Sequence, residues 1–305
     1  MAPGGKGSRP LDRLAVLAVF GVLMVLPSGV TRLAGSDVRD SRASGGTVSV
    51  LEVRGPSDRR THPVWVWRPP GPDAATIPVV YFLHGYPGHA GDCFGHGLAA
   101  VLNQRLADGY PSLVFACPDG NGEQHSDTEW ANSYTGDDQV ENRVLDAVIP
   151  AVEGRNRRNA GHRAIAGFSM GGYGAMNIAL QHPELFGQVV SIAGYFQTND
   201  LSDMFGDRPP VLTANTPDDH PGRARGLRVL LAEDESDPEP LISGQAKTFA
   251  RLLARSRVAS TVEIQPGSHD WDYAMTALKR SFSFLIDGFQ QAAERETAAG
   301  RAGGP

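Results

Sequence analysis

The chain has 305 residues, 41% of them hydrophobic, which is enough to bury one large core, and no long polar linker divides it. A formal net charge of -6 at pH 7, without a basic stripe, argues against nucleic acid or an acidic polymer as partner. The two cysteines do not form a C-x-x-C redox motif, and none of the nine histidines has metal-ligand spacing.

In chain order, Met1 to Arg13 carries Lys6, Arg9 and Arg13, and Leu14 to Leu26 is uncharged and apolar. This pattern predicts an export signal over residues 1–32, either a cleaved signal peptide or a retained membrane anchor, and hence a secreted or cell-envelope location. Residues 33–47 are rich in Gly, Ser and Arg and predict a flexible linker. A catalytic domain is expected over 48–289, opening with an antiparallel pair, Val48–Val53 and Pro63–Trp67. Ile77 to Leu83 reads as a buried strand that stops at His84-Gly85-Tyr86-Pro87-Gly88, and Leu113 to Cys117 as another. Cys93 and Cys117 fall beyond neighbouring strands, where a disulfide and a pair of unlinked thiols are both open.

Val140, Val144, Val148 and Val152 recur every fourth residue and predict a helix packed on the sheet. His162 to Ala166 is a short apolar strand, Gly172 to His182 is helix-like, and Gln188 to Ala193 supplies the next strand. Tyr195 to Arg225 loses periodicity and contains Pro209, Pro210, Pro217 and Pro221, so a lid-like insertion near 195–225 or a plain surface excursion is expected. Leu227–Ala232 and Thr261–Ile264 are the last strands, followed by a helix through Leu278, Phe282 and Leu285. Residues 290–305 are expected to be a flexible tail.

The chemistry concentrates at Gly167-Phe168-Ser169-Met170-Gly171, set between a strand and a helix. A serine on such a turn needs small residues two places either side, because strand and helix backbones approach closely there. Ser169 is therefore the candidate nucleophile of a serine hydrolase or acyltransferase. The backbone N–H groups of Tyr86 and Met170 are the candidate oxyanion donors, each worth roughly 3 kcal/mol of barrier. His269 is the only histidine late enough in the chain to be the base. The acid must follow the strand ending at Ala232, where Glu233, Asp234, Glu235, Asp237 and Glu239 all lie. Asp237, just before Pro238, is favoured, because the carboxylate has to reach back over the sheet to the imidazole. No cofactor and no metal are called for by this chemistry.

From Pro78 to Leu285, about two thirds of the chain, the order of motifs resembles the putative-esterase (esterase D) family of α/β-hydrolases, which includes feruloyl esterases and mycobacterial mycolyltransferases. The likeness is carried by Tyr81-Phe82-Leu83-His84-Gly85, Val148-Ile149-Pro150, Gly167 to Gly172 and Gly267-Ser268-His269-Asp270-Trp271. It implies an α/β fold with a mostly parallel central sheet flanked by helices. It also implies Ser169 as nucleophile, His269 as base, Tyr86 and Met170 as oxyanion donors, and Trp271 as a pocket wall. The reaction implied is hydrolysis of a small-molecule, glycan or lipid ester through an acyl-enzyme. Transfer of an acyl chain to a sugar or alcohol is the alternative, although Ala274 stands where the transferases have a second tryptophan. A catalytically silent envelope protein that keeps the fold is the third reading.

Overall fold

Short runs of β-branched and aromatic residues bounded by Gly and Pro pair into one eight-stranded sheet. The computed structural model describes residues 45–198 and 203–302. The strands are β1 (Thr47–Val53), β2 (His62–Arg68), β3 (Val79–Leu83), β4 (Val114–Pro118), β5 (Arg163–Phe168), β6 (Gln188–Ile192), β7 (Arg228–Asp234) and β8 (Ser260–Gln265), in the spatial order β1-β2-β4-β3-β5-β6-β7-β8. β1 pairs antiparallel with β2, and β2 antiparallel with β4; every later pair is parallel. β3, β4, β5 and β6 are buried along their whole length, as parallel strands covered on both faces must be.

Register then sets the site. Leu83 lies opposite Gly167 in the β3–β5 pair and Phe168 opposite Ile192 in β5–β6, so the segments leaving β3, β5 and β6 emerge side by side. Asp234 lies opposite Gln265, which brings the acidic loop after β7 next to the histidine loop after β8.

On one flank, α1 (Asp92–Gly95) and α2 (Leu98–Ala107) share a core with the long C-terminal helix, built on Leu98, Leu102, Leu278, Phe282 and Leu285. The other flank carries α3 (Val140–Arg143), a π turn (Val144–Val148) and α4 (Ile149–Glu153), which follow one another as a single rod. Its four periodic valines are all at most 2% exposed. Pro150 has no N–H to give and its ring crowds the preceding turn, and the widened π turn directly upstream absorbs both. α5 (Met170–Gln181) and α7 (Gln245–Arg255) complete this flank.

The described part of Tyr195–Arg225 holds α6 (Pro209–Ala214) and two 3-10 turns, Pro217–Asp219 and Pro221–Ala224. It is fastened to α5: Tyr173 Oη donates to Asn215 O at 2.6 Å, Asn177 Nδ2 to Asn215 Oδ1 at 2.9 Å, and Tyr195 stacks on Tyr173.

Two sequence expectations are corrected, and one that the sequence left open is resolved. The last helix, α8, runs from Trp271 to Ala302, through most of the expected 290–305 tail. Ala292 is buried, and Asn159 Nδ2 donates to Glu296 Oε1 at 2.7 Å, a contact 137 residues apart that local composition does not reveal. Residues 45–47 belong to the domain rather than to a 33–47 linker, since Gly46 N–H donates to Asn103 Oδ1 at 2.8 Å and a Cβ at Gly46 would strike Trp67. Of the two options for the cysteines, the linked one is present: Cys93 of α1 is disulfide-bonded to Cys117 of β4, with Cα atoms 7.1 Å apart. The expected export segment, 1–32, lies outside the described residues, among which no helix is long and apolar enough to cross a membrane.

Candidate active site

Ser169 sits between β5 and α5 with φ 56° and ψ -119°, a conformation few non-glycine residues adopt. Two hydrogen bonds hold it there: Ser169 N–H donates to Ile192 O at 2.9 Å, and Tyr173 N–H to Ser169 O at 3.0 Å. The neighbouring glycines are required by space. A Cβ at Gly167 would stand 2.0 Å from Gly171 O, and one at Gly171 would stand 2.1 Å from Leu83 O. The turn thereby presents a half-buried hydroxyl above the ends of the parallel strands.

His269 comes over the sheet from the loop after β8. Its Nε2 lies 2.9 Å from Ser169 Oγ, and its Nδ1 lies 3.0 Å from Asp237 Oδ2. The Asp237 carboxylate is fully buried, and its other oxygen accepts the Glu239 N–H at 2.9 Å, so the acid is fixed on both sides. The other acids of the loop are engaged elsewhere. Glu233 accepts the N–H groups of Gly244 and Ala246 at the start of α7, Asp234 accepts from Ser236, Glu239 turns to Leu241 N–H, and Glu235 is exposed. Among the five carboxylates, Asp237 is the one brought to the imidazole.

The loop after β3 abuts the serine, because a Cβ on Gly85 would stand 3.1 Å from both Ser169 Cβ and Phe168 O. Met170 opens α5, so its N–H is one of the first-turn groups with no intrahelical acceptor. Beneath the loop, Gly120 N–H donates to His84 Nε2 at 2.9 Å, which makes Nδ1 the protonated nitrogen, and Nδ1 donates to Gly85 O at 2.9 Å. Trp130 Nε1 donates to His84 O at 3.0 Å, and its ring meets the imidazole edge-on. Asp119 binds the next histidine, His62, at 2.9 Å and lies 3.7 Å from His84 Nε2. Burial alone would raise the Asp119 carboxyl, but hydrogen bonding from His62 and Asn121 holds it well below the usual range. Sequence reasoning identified His84 as support under this loop and missed Asp119 and Trp130, which arrive from a loop without periodicity.

Trp271, at the start of α8, is half-buried. One side contacts Phe82 and Phe168, and the other stacks on His96 at 5.0 Å and 11°. With Tyr86, His96 and Asn121 it lines an open cleft of about 460 Å³ beside the serine loop. The ring is thus both core packing and cleft wall. Among the described residues, two groups elsewhere have metal-ligand proximity, Asp58–His62–Glu123 and His125–Asp137–Asp138. In the first, Asp58 is committed to the Arg143 guanidinium at 2.7 and 2.9 Å; in the second, Asp138 accepts three backbone N–H groups.

The family model described as "Putative esterase" matches residues 59–294, a span that contains every residue of this site. An acetyl esterase of Caldicellulosiruptor saccharolyticus is 28% identical over 245 residues, covering 70% of this chain and 85% of its own. Among solved structures, a ferulic acid esterase superposes with a TM-score of 0.68 at 18% identity, covering 80% of this chain and 99% of its own. An S-formylglutathione hydrolase of Staphylococcus aureus superposes with a TM-score of 0.66 at 20% identity, covering 80% of this chain and 100% of its own. The chain belongs to the putative esterase family of α/β-hydrolases and is a serine-type carboxylic ester hydrolase.

Proposed function

We propose that this protein is an exported carboxylesterase that works through an acyl-enzyme on Ser169. The observation that carries the reading is the unbroken chain Ser169 Oγ, His269 Nε2, His269 Nδ1, Asp237 Oδ2, with spacings of 2.9 and 3.0 Å. His269 takes the Ser169 proton as Oγ attacks the ester carbonyl, and Asp237 fixes the tautomer and stabilises the imidazolium that forms. The N–H groups of Tyr86 and Met170 receive the negative charge on the carbonyl oxygen. His269 then returns the proton to the departing alcohol, and a water molecule activated by the same imidazole releases the acid. Trp271 and Tyr86 form the wall against which the ester lies. No step calls for a cofactor.

Export is supported by the basic-then-apolar start of the chain and by the Cys93–Cys117 disulfide, a bond typical of oxidising compartments. On this reading the substrates are small-molecule, glycan or lipid esters met outside the cytoplasm, and the N-terminal segment supplies any membrane association.

The test is reaction of the purified domain with a fluorophosphonate, mapping of the modified residue, and release from a series of p-nitrophenyl esters. Labelling at Ser169 with rapid turnover of short esters is the expected result. Labelling with a persistent acyl-enzyme that only an added alcohol or sugar discharges would move the reading to an acyltransferase. Absence of labelling would leave a silent fold.

A further inference from the structure

Phe168 is the last residue of β5 and directly precedes Ser169, and its ring lies against that of His269. The two centroids are 5.0 Å apart and the planes are inclined by 32°. Rings this close and this little inclined overlap face over face with an offset, whereas an edge-to-face pair would stand nearly perpendicular. His269 is therefore held in two directions. Asp237 Oδ2 meets Nδ1 at the ring edge, 3.0 Å away, and Phe168 covers one face.

The Phe168 ring is fixed on its other sides as well. Trp271 meets it at 5.7 Å and 51°, and a Cβ on Gly85 of the oxyanion loop would stand 3.4 Å from its Cδ1. Phe168 is 6% exposed. One buried ring thus packs between the base, the cleft wall and the oxyanion loop. Filling that space is a task any apolar side chain of similar volume could perform, so the aromatic character calls for a separate explanation.

From this geometry we infer that Phe168 is a positioning residue for His269 whose π face stabilises the imidazolium formed during ester cleavage. As Ser169 Oγ bonds to the ester carbon, its proton passes to His269 Nε2, and the neutral ring becomes a cation until that proton leaves with the alcohol. A cation within about 6 Å of an aromatic centroid is attracted to the negative face of the ring, and a neutral imidazole gains far less from the same contact. The interaction therefore strengthens between the free enzyme and the transition state, which is the condition for raising the rate. Asp237 supplies charge only at the ring edge. An aliphatic side chain at 168 would exclude water from the face without attracting the charge. The inference rests on reading Ser169, His269 and Asp237 as the triad.

The experiment replaces Phe168 in the purified protein by Leu and, through genetic-code expansion, by monofluoro-, difluoro- and pentafluorophenylalanine. Fluorination keeps the outline of the ring and withdraws negative charge from its face in steps. Turnover of p-nitrophenyl acetate, melting temperature and fluorophosphonate incorporation at Ser169 are measured on each protein. Phe168→Leu should lower kcat about 2–5-fold, equivalent to about 0.5–1 kcal/mol at about 1.36 kcal/mol per tenfold. In the fluorinated series kcat should fall stepwise with fluorine number, with KM nearly constant and melting temperatures close together. The pentafluoro ring, whose face is positive, should fall at least as far as Leu. A kcat equal across the series, a loss carried by KM alone, or a loss that follows melting temperature instead of fluorine number would overturn the inference and leave Phe168 a packing residue. Failure of the wild type to take up the fluorophosphonate at Ser169 would defeat the triad reading, and the inference with it. A labelled enzyme indifferent to fluorine would defeat the inference alone.

Discussion

His84 Nδ1 donates to the carbonyl oxygen of Gly85 at 2.9 Å, and that carbonyl shares a peptide group with the Tyr86 N–H. The group is trans, so its C=O and N–H point in opposite directions and anchoring one aims the other. A hydrogen bond to the carbonyl also polarises the amide and makes its N–H a stronger donor. His84→Ala should therefore lower kcat by about 10–100-fold with KM nearly unchanged, because the loss falls on charge that develops only in the transition state. His84→Asn places an amide N–H near the old Nδ1 position and should recover part of the rate. Steady-state kinetics beside the rate of Ser169 phosphonylation checks this, and a change confined to KM would refute the aiming role.

The five carboxylates after β7 divide by what they hold, and mutation should divide them the same way. Asp237→Asn keeps the shape but offers His269 the wrong hydrogen-bonding partner, so kcat should fall by about 10³–10⁴ with folding intact. Glu233→Gln weakens the acceptor of two N–H groups at the start of α7, so melting temperature should fall by an amount equivalent to about 1 kcal/mol while kcat stays near wild type. Thermal melts and ester turnover on the same preparations separate the two. Equal kinetic losses at both positions would mean that the loop acts as a unit.

Much of this arrangement was legible in the sequence because it is written locally. Gly167 and Gly171 announce the serine turn through the space a Cβ would need, and His269 is picked out by its place after the final strand. The acid was narrowed but not settled by sequence, since five carboxylates within seven residues look alike until burial and direction are known. Two features needed the fold. The support under the oxyanion loop assembles His84, Asp119, Gly120 and Trp130 from separate segments, and α8 is held at its far end by a contact between Asn159 and Glu296. Neither leaves a periodic trace.

Asp119 gives the fold a defined acid response. Its carboxyl is depressed in the folded state by hydrogen bonds from His62 and Asn121, against an unfolded value of about 3.9. A depressed carboxyl contributes stability that is present above the unfolded value and lost as pH falls through the folded one. Wild-type melting temperature should therefore decline below about pH 4, and Asp119→Asn should start lower at pH 7 and decline less steeply. His182 runs the other way. The hydrogen bond to Glu141 raises its pKa, so its contribution is complete below about pH 6.5 and is lost as pH rises through the higher folded value. Glu141→Gln should remove that alkaline-side loss, and melting curves across about pH 2–9 read both effects.

The disulfide ties the cleft wall to the sheet. Cys93 lies in α1, seven residues past Tyr86 and three before His96, and its partner Cys117 is in β4. Closing a loop of 24 residues stabilises by about 3 kcal/mol on chain-entropy grounds. For a domain of this size that is a melting shift of about 6–12 °C. Both sulfurs are buried, so the Cys93→Ala/Cys117→Ala double variant is a cleaner probe than added reductant. It should melt earlier by that amount. It should also bind esters less well, because Tyr86 and His96 lose their tether while the Ser169–His269–Asp237 chain, built on β5, β7 and β8, does not depend on it. The expected kinetic signature is a KM raised severalfold with kcat within about twofold, measured well below the new melting temperature. A fall in kcat without change in KM would place the disulfide's influence on the oxyanion loop rather than on the cleft.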